Sequence, residues 1–247
     1  NPLVAEDLEL RPRPECGVPK YPKRVDSLPP TFARALAGSC AKVAGDPGRV
    51  LQMYFRQDDK FDLPKAQLSV DLYCPWAFES LRNRVLTAMW GSAVIEELNE
   101  YAYDAEVAGL FYNIGSGSRG LTLHFAGYQD KLPILFRKVT EKMAATHEVS
   151  EHTWTIVRTV MLRDATNAST TKQPYLQARE WEQRCTLKTA IGASEWLECL
   201  KTINREDLNG VSKKLLRCCY AEGLLQGNIV EDSGLCHVME ALLPVLQ

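Results

Sequence analysis

Two short segments in which apolar and polar residues alternate set the strongest limit on how this chain can fold. Apolar residues occupy every second position from Leu51 to Phe55 and again from Leu68 to Leu72. Because successive side chains of a strand point to opposite faces, this period of two predicts two strands, each with one buried face. The stretch RQDDKFDLPK connects them. We expect these two strands to be neighbours in a sheet, and we expect a last strand from Ala221 to Asn228.

The segment from Leu81 to Leu98 has a helical period instead. Its apolar positions form one broad stripe: Leu81, Val85, Ala88, Met89, Ile95 and Leu98, widened by Leu86, Trp90 and Val94. A stripe of this width is typical of a helix that packs on a sheet and is partly covered on its other side.

Further helices are predicted on both sides of a second pair of strands. The segment from Glu100 to Ala108 is followed by Gly109, a residue type favoured just beyond a helix C-terminus. Asp130 is expected to begin a helix with an apolar stripe at Leu132, Phe136, Val139 and Met143. Three or four helices are expected between Ser150 and Cys218, and a terminal helix after the last strand. The predicted fold class is therefore α+β, an antiparallel sheet with helices packed on one side.

The first thirty residues contain seven of the thirteen prolines. Proline lacks a backbone donor and interrupts helices, so this composition predicts an extended arm that lies across a surface. A second break occurs at the sequence GDPG from Gly45 to Gly48. We therefore divide the chain into a Pro-rich arm and lead-in, 1–48, and a single α+β domain, 49–247.

The sequence GSGSRG from Gly115 to Gly120 matches the glycine pattern of dinucleotide-binding loops. In those loops the glycines open a helix, whose N-terminus binds the pyrophosphate. Here the alternating residues from Leu121 to Phe125 follow, which predicts a strand. We interpret the glycines as a hairpin turn and expect His124, on the polar side of that strand, to be solvated.

The sequence HEVSEH from His147 to His152 resembles a metal motif in composition only. Its two histidines are five residues apart, which at about 100° per residue separates their side chains by about 140° around a helix. One helix could not direct both imidazoles at one zinc ion. We instead expect His147 and Glu148 in a loop and Ser150 as the N-cap of a helix with Trp154, Val157 and Met161 on its stripe.

The eight cysteines are scattered along a long chain and include no C-x-x-C pair. Cys218, Cys219, Cys236 and His237 lie near one another in sequence, but adjacent helical residues diverge too much to chelate one ion together. Free thiols in a reducing, cytoplasmic compartment are the expected state.

Charge and hydropathy limit the partners. A net charge of −2 and a pI near 6.2 argue against nucleic acid as the main partner, because phosphate binding requires clustered lysine and arginine. No apolar run reaches the eighteen or more residues of a membrane span, and the N-terminus lacks the pattern of a signal peptide. We expect no nucleic-acid or membrane partner and a cytoplasmic location.

Several ordered motifs resemble those of one family. They are YFRQDDKFDLPKAQLSVDLYCPWAF from Tyr54, LNEYAYDAEVAGL from Leu98, GLTLHFAGYQDKLPILFRK from Gly120, EKMA from Glu141, the pair Gln173-Pro174 and LLQGN from Leu224. Together they resemble the insulin-degrading-enzyme (pitrilysin-type, insulinase family) zinc metallopeptidases. The resemblance covers most of the chain beyond Arg49 and is to the third, middle, non-catalytic domain of four.

The resemblance implies a role without chemistry in this chain. Members of the family cut peptides inside a closed chamber, with zinc held by H-x-x-E-H and a distant Glu in the first domain. No H-x-x-E-H occurs here, and the helix from Leu81 to Leu98 contains no histidine. We therefore expect no cofactor in this chain and zinc elsewhere in the parent protein. The sequence assigns no catalytic residue, no metal ligand and no substrate-binding residue.

The resulting expectation is a non-catalytic, chamber-forming domain of a zinc metalloendopeptidase that hydrolyses peptides. Its expected partners are the remaining domains of the same polypeptide and peptide substrates in the chamber, and a homodimer contact is also consistent with the family. Asp58, Asp59 and Lys60 are expected to make turn and inter-domain contacts. The alternative is a domain of a catalytically dead homologue that acts as a partner subunit or peptide-binding protein. An independent enzyme with a novel site would be active as this chain alone.

Overall fold

The computed structural model describes residues 1–13, 17–25, 50–117, 119–170, 173–187, 190–217 and 219–246. These residues contain one six-stranded sheet. Its strands are β1 (Lys23–Arg24), β2 (Leu51–Gln57), β3 (Lys65–Tyr73), β4 (Phe111–Ser116), β5 (Gly120–Tyr128) and β6 (Tyr220–Gly227).

The strand order is β1-β2-β6-β3-β5-β4. The prediction that β2 and β3 are neighbours is wrong, because β6 lies between them, parallel to β2 and antiparallel to β3. The remaining strand pairs are antiparallel. The alternation of apolar and polar residues identifies a strand and its buried face. It does not indicate which other strand lies beside it in the sheet. The loop 58–64 is long enough to cross the roughly 10 Å of two strand spacings.

Ten helices accompany the sheet in the described part of the chain. They are α1 (Pro75–Phe78), α2 (Leu81–Glu97), α3 (Asn99–Val107), α4 (Leu132–Ala145), α5 (Glu151–Thr170), α6 (Pro174–Thr186), α7 (Ala193–Lys201), α8 (Arg205–Leu208), α9 (Val211–Leu216) and α10 (Glu231–Leu246). Three or four helices were predicted between Ser150 and Cys218, and the structure has five in the described part of this segment. The difference comes from α8 and α9, which have four and six residues and are too short to show a helical period.

Helix α2 forms the centre of the helical layer. It begins at an N-cap, Ser80, whose Oγ accepts a hydrogen bond from Asn83 N at 3.1 Å. Met89 and Trp90 have no exposed surface, and Trp90 Nε1 donates to Thr146 O at 3.0 Å. The helix packs against β4, α5 and α7, so its broad stripe is buried on two sides as predicted.

The face of the sheet toward the helices is apolar and fully buried. Leu68, Val70 and Leu72 of β3 are at most 1% exposed. Gly223 of β6 lies opposite Val70 of β3 and Met53 of β2. A Cβ there would approach Met53 Sδ to 2.5 Å, so any larger residue would force the Met53 side chain to move.

Gly109 confirms the predicted end of α3. Its φ of +75° is the left-handed conformation that glycine adopts without strain. The helix predicted from Asp130 begins two residues later, because the Asp130 carboxylate binds other backbone groups instead of capping the helix. The four predicted stripe residues of this helix are all buried.

The N-terminal residues are held against the strand ends by side-chain amides. Asn228 Nδ2 donates to Glu9 O at 2.8 Å, and its Oδ1 accepts from Arg11 N at 2.7 Å. Gln129 Nε2 donates to Asp7 O at 3.1 Å. These contacts hold residues 7–11 along the end of the sheet. The division predicted at residue 48 falls within 26–49, outside the described residues.

The observed fold is α+β, one open sheet with helices, in agreement with the predicted class. The sheet is not antiparallel throughout, contrary to the prediction, because β2 and β6 are parallel. None of the described helices combines the length and apolarity needed to cross a bilayer.

Candidate functional surface on the open face of the sheet

The face of the sheet away from the helices carries polar and aromatic side chains, which we call the open face. The strand registers put Ser69 of β3 opposite both His124 of β5 and Leu224 of β6. Two residues earlier, Gln67 lies opposite Gln226. These side chains are half-buried, in contrast to the fully buried opposite face. The open face is therefore a semi-polar surface built from three adjacent strands.

His124 is held at the centre of this face by hydrogen bonds to both ring nitrogens. Ser69 Oγ lies 3.0 Å from Nδ1, and Gln67 Nε2 lies 3.3 Å from Nε2. Gln67 Oε1 accepts from Gln226 Nε2 at 3.1 Å, which directs the amino group of Gln67 at the imidazole. The neutral tautomer that fits these contacts accepts at Nε2 from the Gln67 amino group and donates from Nδ1 to Ser69. His124 is thus half-buried and contacts two side chains, so it is only partly open to solvent.

The other end of the open face has carboxylates paired with hydroxyl donors. Tyr73 OH donates to Glu222 Oε2 at 3.3 Å, and Thr122 Oγ1 donates to Asp71 Oδ1 at 2.8 Å. The Tyr220 ring lies 5.7 Å from the Tyr73 ring, centroid to centroid. Burial, followed by the Glu222 charge, raises the pKa of both phenols. Both tyrosines therefore remain hydrogen-bond donors at neutral pH.

The loop 58–64 forms a cleft of about 360 Å³ at the edge of the open face. Asp58 shapes this loop by accepting from Lys60 N at 3.1 Å and from Phe61 N at 3.2 Å, and Asp59 pairs with Arg56 at 3.2 Å. The turn contacts predicted for this loop are thus confirmed, and the inter-domain contacts stay a prediction. Phe61 is 73% exposed and supplies an apolar wall to the cleft.

The glycine sequence between β4 and β5 forms the predicted hairpin. Gly117 N donates to Gly120 O at 2.9 Å, and β5 follows directly. Ser118 lies outside the described residues. Because no helix begins here, the loop lacks the helix N-terminus to which a dinucleotide would bind.

The histidines of the HEVSEH sequence have separate environments. His147 lies in the loop before α5, where its Nδ1 is 2.9 Å from Ser212 Oγ. His152 is exposed on the first turn of α5, and Ser150 Oγ caps that helix by accepting from Thr153 N at 3.1 Å. In the ranges that the structure describes, no group of three or more His, Cys, Asp or Glu side chains is arranged to hold a metal. The zinc that the resemblance implies thus has no fitting ligand set in this part of the chain.

The cysteines in the described ranges are free thiols. Cys219 is buried at the start of β6, whereas Cys236 lies on α10. Cys218 lies outside the described residues. The cysteine in contact with Cys219 is Cys74, which follows β3.

A groove of about 690 Å³ lies between α5, α6 and α7. Helix α6 buries none of its side chains, and Tyr175 and Trp181 on it are 67% and 62% exposed. Two polar contacts hold it to the start of α7: Ala193 N donates to Glu180 Oε1 at 3.0 Å, and Arg184 pairs with Glu195 at 2.7 Å. The helix therefore contacts the start of α7 through Glu180 and Arg184, and its two large aromatic side chains are exposed.

The residues of the open face were missed by sequence reasoning as a group. Alternation placed Ser69 on the polar side of β3 and His124 on the polar side of β5. The link from Gln67 to Gln226 depends on the insertion of β6 beside β3, which the sequence patterns did not indicate.

Comparison with protein families gives a match to the middle or third domain of peptidase M16 over residues 1–199. The chain is 34% identical to insulin-degrading enzyme of Homo sapiens over 184 residues, which cover 74% of this chain and 18% of that protein. It is 31% identical to the peroxisomal insulin-degrading enzyme-like 1 of Arabidopsis thaliana over 181 residues. It is 24% identical to nardilysin of Homo sapiens over 242 residues, 95% of this chain. The matched part is thus less than a fifth of each relative.

Solved structures share the fold. Pitrilysin superposes with a TM-score of 0.80 at 19% identity, covering 99% of this chain and 24% of that chain. A conserved protein from Enterococcus faecalis V583 superposes with a TM-score of 0.63 at 11% identity, covering 89% of this chain and 52% of that one. Given the family match and the identity to insulin-degrading enzymes, this chain belongs to the peptidase M16 family, as its middle or third domain.

Proposed function

We propose that this chain is a non-catalytic, chamber-forming domain of an insulin-degrading-enzyme-like zinc metalloendopeptidase. The observation that carries the proposal is the two-sided character of the sheet. One face is sealed by helices, and the open face presents an ordered set of hydrogen-bonding and aromatic side chains. A surface of this kind is suited to line an aqueous compartment.

The open face has the chemistry to contact extended peptides without cleaving them. Glu222 and Asp71 supply negative charge, Tyr73 and Tyr220 supply rings and hydroxyl groups, and Leu224 supplies an apolar contact. A peptide in extended conformation offers the complementary groups, because its backbone is polar and its side chains alternate. Walls that hold substrate and exclude water affect the rate of a reaction even when they provide no reacting group.

In this proposal the zinc is bound by another domain of the same polypeptide. The support is the poor fit of the described residues to a zinc site and the family's relatives, which are about five times longer than the part matched here. No step of peptide hydrolysis involves a residue of this chain. The reducing cytoplasm remains the proposed location.

The proposed partners are the remaining domains of the parent polypeptide, and α6 is the proposed contact. A helix without a fully buried side chain gains little from the hydrophobic effect in isolation. Tyr175 and Trp181 are aromatic residues of the kind enriched at protein interfaces. Covering them with another domain would remove a large apolar area from water.

The test compares this chain with the full-length protein that contains it. After treatment with a chelator, addition of zinc and dialysis, we expect no stoichiometric zinc and no peptide cleavage by the chain, and both by the full-length protein. Zinc content is measured by mass spectrometry and cleavage with a quenched fluorescent peptide. Cleavage by the chain alone would contradict the proposal. A full-length protein with neither property would support the alternative, a catalytically dead homologue that binds peptides or a partner subunit.

A further inference from the structure

Cys74 and Cys219 form a buried pair that the proposed function does not use. Their sulfur atoms lie 2.9 Å apart, about 0.9 Å more than the length of a covalent S–S bond. Cys74 is 0% exposed and Cys219 is 7% exposed. The two residues are 145 positions apart in sequence, so their contact depends on the tertiary fold.

The strand register supports the same pairing independently of the sulfur positions. In the antiparallel pair of β3 and β6, Leu72 lies opposite Ala221 and Tyr73 lies opposite Tyr220. Continuing that register by one residue puts Cys74 opposite Cys219, with both side chains on the buried face. Opposite residues of antiparallel strands have Cα atoms about 4.5–5.5 Å apart, which is within the range that a disulfide requires.

The backbone on both sides of the pair is fixed. Cys74 N donates to Arg119 O at 2.9 Å, and Cys74 is also the N-cap of α1. Cys219 Sγ lies 3.1 Å from Leu215 O of α9. The two thiols are therefore held near each other by separate elements, and little movement is needed to join them.

We propose that Cys74 and Cys219 are a redox modification site, a dithiol that a low-molecular-weight disulfide such as oxidised glutathione converts to an intramolecular disulfide. The thiolate of Cys219, the more exposed of the two, attacks one sulfur of oxidised glutathione, and one glutathione leaves as thiolate. The Cys74 thiolate then attacks the Cys219 sulfur of the mixed disulfide, and the second glutathione leaves. Two protein thiols are oxidised, one glutathione disulfide is reduced to two thiols, and the two protons pass to the released glutathiones.

The disulfide would fasten the end of β3 to the beginning of β6, the two central strands that carry the open face. It closes a loop of 145 residues and so restricts the unfolded chain strongly. For a chain of this size we expect the melting temperature to rise by about 5–10 °C. In a reducing compartment the thiols stay free, and the link forms when the thiol pool is oxidised.

The experiment incubates the native 247-residue chain with oxidised glutathione, blocks the remaining thiols and maps the disulfides by mass spectrometry. Trypsin releases Cys74 in a peptide without another cysteine, whereas Cys218, Cys219 and Cys236 share the C-terminal peptide, so fragmentation within that peptide is required. We expect a Cys74–Cys219 link, the loss of two thiols per chain and the rise in melting temperature, all reversed by dithiothreitol.

Matched variants separate this site from the other thiols. Cys74→Ala and Cys219→Ala should abolish the link and the temperature shift, while Cys218→Ser and the exposed Cys185→Ser should keep both. If an alanine variant fails to fold, mapping of the unaltered chain still decides the question. The proposal is overturned if native oxidation produces a different disulfide or glutathione adducts at exposed cysteines alone, or if the shift persists in folded Cys74→Ala.

Discussion

Gly223 of β6 faces Met53 of β2 so closely that an added Cβ would lie 2.5 Å from Met53 Sδ. Met53 is fully buried, so its side chain must shift within the core to admit the new methyl group. We expect Gly223→Ala to lower the free energy of unfolding by about 1–3 kcal/mol, the usual cost of overpacking a core. Urea denaturation of the variant measures this loss.

A double-mutant cycle tests the cause of that loss. Met53→Ala alone should cost about 2–5 kcal/mol, because it leaves a cavity. In the double variant the new methyl group enters the vacated space, so the combined loss should be smaller than the sum. Strictly additive losses would show that Gly223 is required for another reason.

Ser69 is the acceptor for the His124 Nδ1 proton on the open face. Ser69→Ala should therefore lower the free energy of unfolding by about 1 kcal/mol, because a half-buried donor is left unpaired. Nitrogen chemical shifts of the imidazole should identify Nδ1 as the protonated nitrogen in the unaltered chain. A protonated Nε2 in the neutral ring would contradict the hydrogen-bond pattern assigned to Gln67 and Gln226.

Sequence patterns predicted the helices and strands whose own residues show a period or a capping residue. The helix predicted from Leu81 to Leu98 ends one residue beyond the observed helix. Ser150 was correctly predicted as an N-cap, because capping depends only on its own hydroxyl group and the next turn of backbone. The position of β6 was missed because it is determined by contacts across the sheet, such as that between Gly223 and Met53. The His124 network was missed for the same reason, since Gln226 reaches it only through β6.

Asp130 gives the N-terminal segment a pH dependence. Hydrogen bonds from the amides of Glu6 and Asp7 hold the pKa of its carboxyl below the ordinary value, mainly through Glu6. The unfolded chain thus binds more protons than the folded chain in the interval between the two pKa values. The stabilisation is complete above the unfolded value near 4 and is lost as pH falls through the lowered folded value.

We expect the amide protons of Glu6 and Asp7 to exchange slowly at neutral pH and to lose protection in acid, once the intrinsic pH dependence of exchange is corrected. Asp130→Ala should remove the protection at all pH values, and Asp130→Asn should retain part of it without the pH dependence. Unchanged protection in Asp130→Ala would contradict the assigned contact.

Trp181 distinguishes the isolated chain from the full-length protein. Because its side chain is 62% exposed, Trp181→Ala should change the melting temperature of this chain by about 1 °C or less. If α6 packs on another domain, the same change should lower the melting temperature of the full-length protein by several degrees. As a control, replacing the fully buried Trp90 by Ala should destabilise both forms by about 3–5 kcal/mol. Equal, negligible effects of Trp181→Ala in both forms would remove α6 as the proposed interface.

The most direct test asks whether the open face lines a closed compartment. Thr122 is exposed on that face, and its tryptic peptide, Gly120 to Lys131, contains no native cysteine, so Thr122→Cys can be followed specifically by mass spectrometry. In the isolated chain, a small maleimide and a maleimide attached to a large polymer should both label this cysteine rapidly. In the full-length protein, the small reagent should still react, and the large reagent should react at least about tenfold more slowly, because a chamber excludes it. Equal labelling by the large reagent in both forms would contradict the role of this domain as a chamber wall.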